Sequence, residues 1–286
     1  MPISETNLIL NKDGSVYHLS LLPKHISDRI IAVGDPSRVY RISERFDDIE
    51  FEMNKREFIT HVGKYRGKRI TVMSTGIGTD NVEIFMTELD ALVNIDLNTR
   101  EPKARRKKLK IVRVGTSGSL QEDIPVGSHL ATDYAVGLDA MMAYYNLPQT
   151  EYESEVATAL YDRVKLPVKP YIVQGSTSLR ELICKDMVIG NTITTSGFYA
   201  PQGRQVRIQT KYPRLLNDLN YFHHPNGDFW LTNFEMETAA YYALGRLLGH
   251  ETLSVNAIIA NRIKNKFAKD VNKIVDDLIE KVLDRI

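Results

Sequence analysis

Two patterns of apolar residues alternate along this chain. In one, β-branched and apolar residues run together in short stretches bounded by glycine, proline or charged residues. "RIIAV" (29–33), "RITVMST" (69–75), "KIVRVG" (110–115), "YIVQGS" (171–176), "MVIGNTITT" (187–195) and "TLSVNAIIAN" (252–261) are of this kind and predict strands. In the other, apolar side chains recur every three or four positions, the spacing of a helix with one buried face. Val82, Phe85, Met86, Leu89, Leu92 and Val93 share a face over 80–95, and Val271, Ile274, Val275, Leu278, Val282 and Leu283 do so over 269–286. A further helix over 238–249 carries Ala240, Ala243, Leu244, Leu247 and Leu248. Strands alternating with amphipathic helices predict an α/β protein with a largely parallel sheet. No Pro/Gly/Ser-rich linker, composition break or internal repeat divides the sequence, so one domain over residues 1–286 is expected.

Composition narrows the class without naming a function. The 286 residues are 43% hydrophobic and 26% charged, average for a soluble globular protein, and can bury a large core. A net charge of +1 gives no bulk attraction to nucleic acid or membrane. No window approaches the ~18 unbroken apolar residues of a membrane-spanning helix. The first ten residues lack the basic and apolar regions of a secretory leader, and Cys184 stands alone, so a reducing, cytoplasmic setting is expected. Seven Lys or Arg residues lie from Arg100 to Lys110, but no aromatic residue interleaves with them; a solvated loop is the expectation, not a nucleic-acid patch.

Candidate chemistry gathers where the predicted strands end. In open α/β sheets ligands bind at the carboxyl ends of strands, and glycines fall there in "AVGDPSR" (32–38), "MSTGIGTDN" (73–81) and "VRVGTSGS" (112–119). "TGIGTDN" begins like a dinucleotide fingerprint but lacks its third small residue, so that signal is weak. Any one glycine loop is equally well a tight turn. Arginines change the picture. Arg38 follows "GDP" at a predicted helix start, and Arg113 lies within an otherwise apolar strand, where a charge needs a partner. That partner is a bound anion or a core carboxylate. With Thr116 and the amides of "GTSG", these residues have the makings of a phosphate site. A second puzzle is "NFEMETAA" (233–240), where Glu235 and Glu237 flank Met236 just as a strand meets a core helix. Carboxylates are rarely buried there unless paired or hydrogen-bonded.

With "GDPSR", "RVGTSG" and "EMET" in this order, the chain resembles the nucleoside phosphorylase family, and within it the uridine phosphorylases, from about residue 17 to the C-terminal helix. The resemblance implies a three-layer α/β/α fold with a mixed, largely parallel central sheet flanked by helices. It also implies reversible phosphorolysis of uridine, or of deoxyuridine or thymidine, to uracil and a ribose 1-phosphate. Phosphate ligands fall on Gly34, Arg38, Arg113 and Thr116, with Arg56 of "KREF" supplied by a neighbouring subunit. His18 of "VYHLSL" also crosses to the neighbour, towards the ribose 5′-hydroxyl. Glu237 accepts from ribose hydroxyls and Met236 packs under the sugar, while Glu235 is either supporting or purely structural.

The base falls to Phe198, Gln202 and Arg204 of "SGFYAPQGRQ", with Ile259, Ala260 and Arg262 of "IIANR" beside them. The chemistry suits uracil, whose edge presents one N–H between two carbonyls: an amide can accept from the first while it and a guanidinium donate to the others. No side chain need act as nucleophile or general base, and no cofactor or metal is expected, because phosphate itself attacks. Two ligands from a neighbour make a dimer the minimum unit, with a hexamer left open. The sequence also departs from the family. "SVNAIIANR" carries no acid of the kind that protonates a purine leaving group, which argues against purines. Asn81 in "GTDN" replaces the usual proline-serine and puts a monovalent-cation site in doubt. A same-fold nucleosidase, a purine nucleoside phosphorylase and a non-catalytic nucleoside-binding or storage protein remain the rival readings.

Overall fold

The computed structural model describes residues 2–286. They form two compact units, one of residues up to Arg113 together with Leu244–Glu251, the other of Val114–Ala243 and Thr252–Ile286. Among the described residues no helix is long and apolar enough to cross a membrane.

In the first unit β1 (Arg29–Val33) leads into α1 (Ser37–Ser43), followed by β2 (Asp48–Lys55), β3 (Phe58–Tyr65) and β4 (Lys68–Ser74). Next come α2 (Thr79–Asn94), the small pair β5 (Ile95–Asp96) and β6 (Glu101–Pro102), and the start of β7 (Lys110–Ser119). The sheet order here is β7–β1–β4–β3–β2. β1 and β4 are parallel, with Val33 opposite Ser74, while β3 runs antiparallel to both its neighbours. Ile30, Ile31, Ala32 and Val33 of β1 and the predicted apolar face of α2 are buried. Because β1 and β4 end side by side, the turns that follow them meet. A Cβ on Gly34 would lie 3.2 Å from the Gly76 carbonyl oxygen, a tight contact that glycine avoids where the two backbones approach. The basic segment is exposed: Lys107 pairs with Asp28, Lys108 lies 3.8 Å from Glu251, and Lys103 donates to the Val93 carbonyl.

The second unit takes in the rest of β7, then β8 (His129–Leu138), α3 (Glu151–Val164), β9 (Tyr171–Gln174), α4 (Thr177–Ile183) and β10 (Val188–Thr195). After these come α5 (Leu215–Asn220), β11 (Asn233–Glu235), the start of α6 (Thr238–Leu248), β12 (Glu251–Asn261), β13 (Lys266–Phe267) and α7 (Val271–Arg285). Its sheet runs β13–β12–β8–β10–β11–β7, with β9 also on β8. β8, β10 and β11 are mutually parallel, and antiparallel β12 and β7 flank them. Thr194 is level with both Gly137 and Glu235, so three strand ends open on the same side.

One expectation fails here. Residues 112–119 do not make a glycine turn at a strand end; they lie inside β7, where Phe234 faces Gly118 and Asn233 faces Ser119. Gly118 packs beside Arg262: a Cβ there would come 3.4 Å from Arg262 Cγ, an ordinary contact. Thr116 is therefore a half-buried strand residue, not a hydroxyl beside the amides of a loop.

Candidate active site

In the first unit the "GDPSR" turn is built by its own side chains. Asp35 Oδ1 accepts from the Ser37 amide at 2.9 Å, and the Asp35 carbonyl accepts from the Arg38 amide at 3.0 Å. This starts α1 directly after Gly34 and puts Arg38, half-buried, in the helix's first turn. Arg113, only 4% exposed, sits in β7 as expected. At the neighbouring strand end Asn81 folds back to donate to the Ile77 carbonyl, and a Cβ on Gly76 would lie 2.9 Å from its side-chain nitrogen.

The same unit assembles the two residues that only a family resemblance singles out. Arg56 occupies the β2–β3 turn with φ 54°, exposed, in a backbone region that non-glycine residues seldom adopt. Its guanidinium lies 5.9 Å from the Tyr17 ring centroid, and that ring packs edge-on against His18 at 4.8 Å. His18 Nδ1 is 2.6 Å from Glu88 Oε1. Glu88 also accepts from the His18 amide at 3.0 Å and the Leu19 amide at 2.9 Å. Neither Tyr17 nor Glu88 was expected. Glu88 does leave a trace, since it shares the buried face of α2 with Phe85 and Leu92, where an acid needs donors.

The second unit holds the "SGFYAPQGRQ" loop, which leaves the end of β10. Gln202 is 2% exposed and forms its centre. Its Nε2 donates to Thr195 Oγ1 at 3.0 Å and to the Glu235 carbonyl at 3.4 Å, while its Oε1 accepts from Arg204 Nη1. Both amide hydrogens thus have protein partners, and Oε1 keeps a second lone pair. The same Arg204 nitrogen donates to the Phe198 carbonyl at 2.6 Å, with the guanidinium carbon 3.7 Å from the Phe198 ring centroid. From just past the end of β12, Arg262 Nη1 donates to the Gln202 carbonyl at 3.1 Å.

Two guanidinium groups therefore share one small region. Burial holds the Arg204 cation down to about 10, with the like charge of Arg262 adding to the effect. Burial lowers Arg262 as well. Ile259 and Ala260, half-buried on β12, precede Arg262, and the Ala260 methyl would touch a Cβ on Gly118.

The "EMET" glutamates divide their work. Glu235 is buried and accepts from the Glu237 and Thr238 amides at 3.0 and 2.9 Å, and from Thr194 Oγ1 at 2.5 Å. Thr194 Oγ1 in turn accepts from the Ala239 amide at 2.9 Å. The first amides of α6, which lack partners within the helix, are thereby satisfied, and a carboxylate sits where the helix dipole favours one. Glu235 is a cap. That frees Met236, half-buried, and Glu237, 6% exposed, to be positioned by the turn it holds.

Against known proteins, the sequence pattern of the Phosphorylase superfamily matches residues 28–286. The chain belongs to that superfamily. Its fold is that of the family, a mixed sheet flanked by helices. A protein named uridine phosphorylase from Thermococcus kodakarensis is 32% identical over 262 residues, 90% of this chain and 82% of its own length. A DeoD-type purine nucleoside phosphorylase from Streptococcus suis is 27% identical over 242 residues, 84% of each chain. Among solved structures, a Trypanosoma brucei nucleoside phosphorylase described as showing uridine phosphorylase activity superposes with a TM-score of 0.90. It is 29% identical and covers 97% of this chain and 98% of its own.

Proposed function

We propose that this phosphorylase-family protein catalyses the reversible phosphorolysis of uridine, giving uracil and ribose 1-phosphate. The observation that carries the reading is the pair Arg204 and Arg262, partly desolvated beside Gln202. Cations held at a cost by burial are relieved by an anion, and a departing uracil gathers negative charge on its carbonyl oxygens. Gln202 Oε1 accepts the ring N–H, and guanidinium N–H groups donate to the carbonyls. Phe198, Ile259 and Ala260 supply apolar contact to the base.

Gly34, Arg38, Arg56, Arg113 and Thr116 bind phosphate, with Arg56 reaching into a partner's site. His18, Met236 and Glu237 hold the ribose. Phosphate is the nucleophile, so catalysis is positioning plus electrostatic stabilisation, with no cofactor and no covalent intermediate. The whole chain serves as one catalytic domain, a homodimer is the smallest complete unit, and the cytoplasm is its setting. A purine reading has the DeoD-type relative in its favour, but "SVNAIIANR" offers no acid to protonate a purine. Deoxyuridine and thymidine belong in the same test, because one methyl in a pocket shifts preference by only ~1–3 kcal/mol.

The test is a nucleoside panel followed by ultraviolet absorbance, with and without phosphate. Uridine should be cleaved only with phosphate, and faster than inosine. Undiminished cleavage without phosphate would make the protein a nucleosidase; faster inosine cleavage would make it a purine enzyme.

A further inference from the structure

We infer that Glu88 is the positioning residue that fixes His18 as a hydrogen-bond acceptor at Nε2, and thereby sets a preference for nucleosides with a free 5′-hydroxyl. The inference rests on the proposed phosphorolysis, in which His18 faces the sugar's 5′ end. Its physical basis is the grip of one buried carboxylate. Glu88 is 8% exposed, and its helix neighbours Phe85, Leu89 and Leu92 are fully buried. Nothing apolar can satisfy an acid there, and the chain brings it donors from 69 and 70 positions away.

The amides of His18 and Leu19 fix the backbone, and Nδ1 at 2.6 Å fixes the ring. Tyr17 closes one side of that ring edge-on at 4.8 Å, and fully buried Leu19 anchors the segment behind it. The imidazole therefore has one orientation, which a side chain 28% exposed would not otherwise keep.

The same contact sets the tautomer. An ionised carboxylate can only accept, so the proton of the neutral imidazole sits on Nδ1 and Nε2 presents a lone pair. A lone pair at Nε2 suits a hydroxyl that donates. A 5′-deoxy sugar gives it nothing, and a 5′-phosphate brings acceptor oxygens and negative charge. Glu88 thus reads the sugar's 5′ end without touching it.

Two measurements test this. The first is kcat/KM for uridine and 5′-deoxyuridine at saturating phosphate and pH 8, for wild type, His18→Ala, Glu88→Gln and the double variant. Wild type should favour uridine by roughly ten- to a hundredfold, the worth of one buried hydrogen bond at a reacting substrate. His18→Ala should largely erase that ratio, Glu88→Gln should reduce it at least threefold, and the double variant should match His18→Ala. A Glu88→Gln enzyme with lower activity on both substrates but an unchanged ratio would make Glu88 a structural residue only and overturn the proposal. So would a wild-type ratio in His18→Ala, which does not depend on whether the Glu88 variant folds.

The second is histidine-selective nitrogen-15 NMR of the wild-type protein at pH 8, which needs no turnover. It should show the His18 proton on Nδ1; a proton on Nε2 overturns the proposal. A wild type inactive on both nucleosides refutes the phosphorolysis and the 5′ preference together, and the NMR then still decides the grip on His18.

Discussion

Glu88 and Glu235 are both buried carboxylates that accept backbone amides, and they differ in where those amides come from. Glu235 takes its backbone donors from two and three residues ahead, at the mouth of α6, and ties them to Thr194 on the adjoining strand. Glu88 takes its donors from 69 and 70 positions away, and one of them is a histidine ring. The first arrangement is a local cap that stabilises a turn. The second is a tertiary clamp that holds a distant segment and its histidine ring. Burial alone does not separate these two carboxylates; the identity and distance of their donors do.

Glu237, two residues from Glu235, is buried as well. The largest loss of activity is expected from Glu237→Ala, a fall in uridine kcat/KM of about 10²–10³-fold, taking the range for a group that stabilises the transition state directly. Melting temperature should move little. Arg56→Ala should be similarly impaired, and mixing and refolding the two variants should restore part of the activity if Arg56 acts across subunits. Verified mixed oligomers with no recovery would assign Arg56 to its own subunit or remove it from the site.

Next in size are Gln202→Ala and Arg204→Ala, each expected to lower uridine kcat/KM roughly ten- to a thousandfold, on ~1.5–4 kcal/mol for a desolvated hydrogen bond to a base gathering charge. Phosphate affinity, measured by calorimetry without nucleoside, should barely change. A joint loss of phosphate affinity would mean that the loop holds up the whole site and does not read the base.

Glu235→Ala inverts the pattern. It strips the acceptor from the first amides of α6 and should destabilise the fold by about 1–3 kcal/mol, with a fall in melting temperature of several degrees. If stability is unchanged while activity collapses, Glu235 belongs with the ligands and not with the scaffold. The smallest effect is expected from Arg105→Ala with Arg106→Ala on the exposed basic segment. Stability should stay within ~0.5 kcal/mol and uridine turnover should be unaltered.

What could be read from the sequence followed the same division between local and distant. The strands β1, β4 and β10 and the helices α2 and α7 were legible because their apolar spacing is self-contained. β8 was not, since Thr132 and Asp133 interrupt its apolar run. Thr132 is satisfied by Thr192 of β10 at 2.5 Å, a partner 60 residues away. The edge strand β2 is mostly exposed and carries little apolar signal. The "GTSG" glycines looked like a turn because glycine is ambiguous by itself; only the pairing of Gly118 and Ser119 with β11 shows them to be strand.

At the site, the Phe198–Arg204 loop reads by itself as an ordinary Pro/Gly loop, and only the family resemblance points its glutamine and arginine at a base. His18 and Arg56 are likewise unremarkable until a family pattern points to them. Glu88 is hidden in α2, because the helical period that marks the apolar face says nothing of the one acid on it.

In phosphorolysis phosphate, not water, accepts the sugar. Phosphorus-31 NMR of the protein with uridine and phosphate tests it most directly. A new phosphate-ester signal for ribose 1-phosphate should grow in step with uracil and one-for-one with the loss of inorganic phosphate, and should reverse when uracil and ribose 1-phosphate are supplied. Uracil appearing with free ribose and unchanged inorganic phosphate would contradict it.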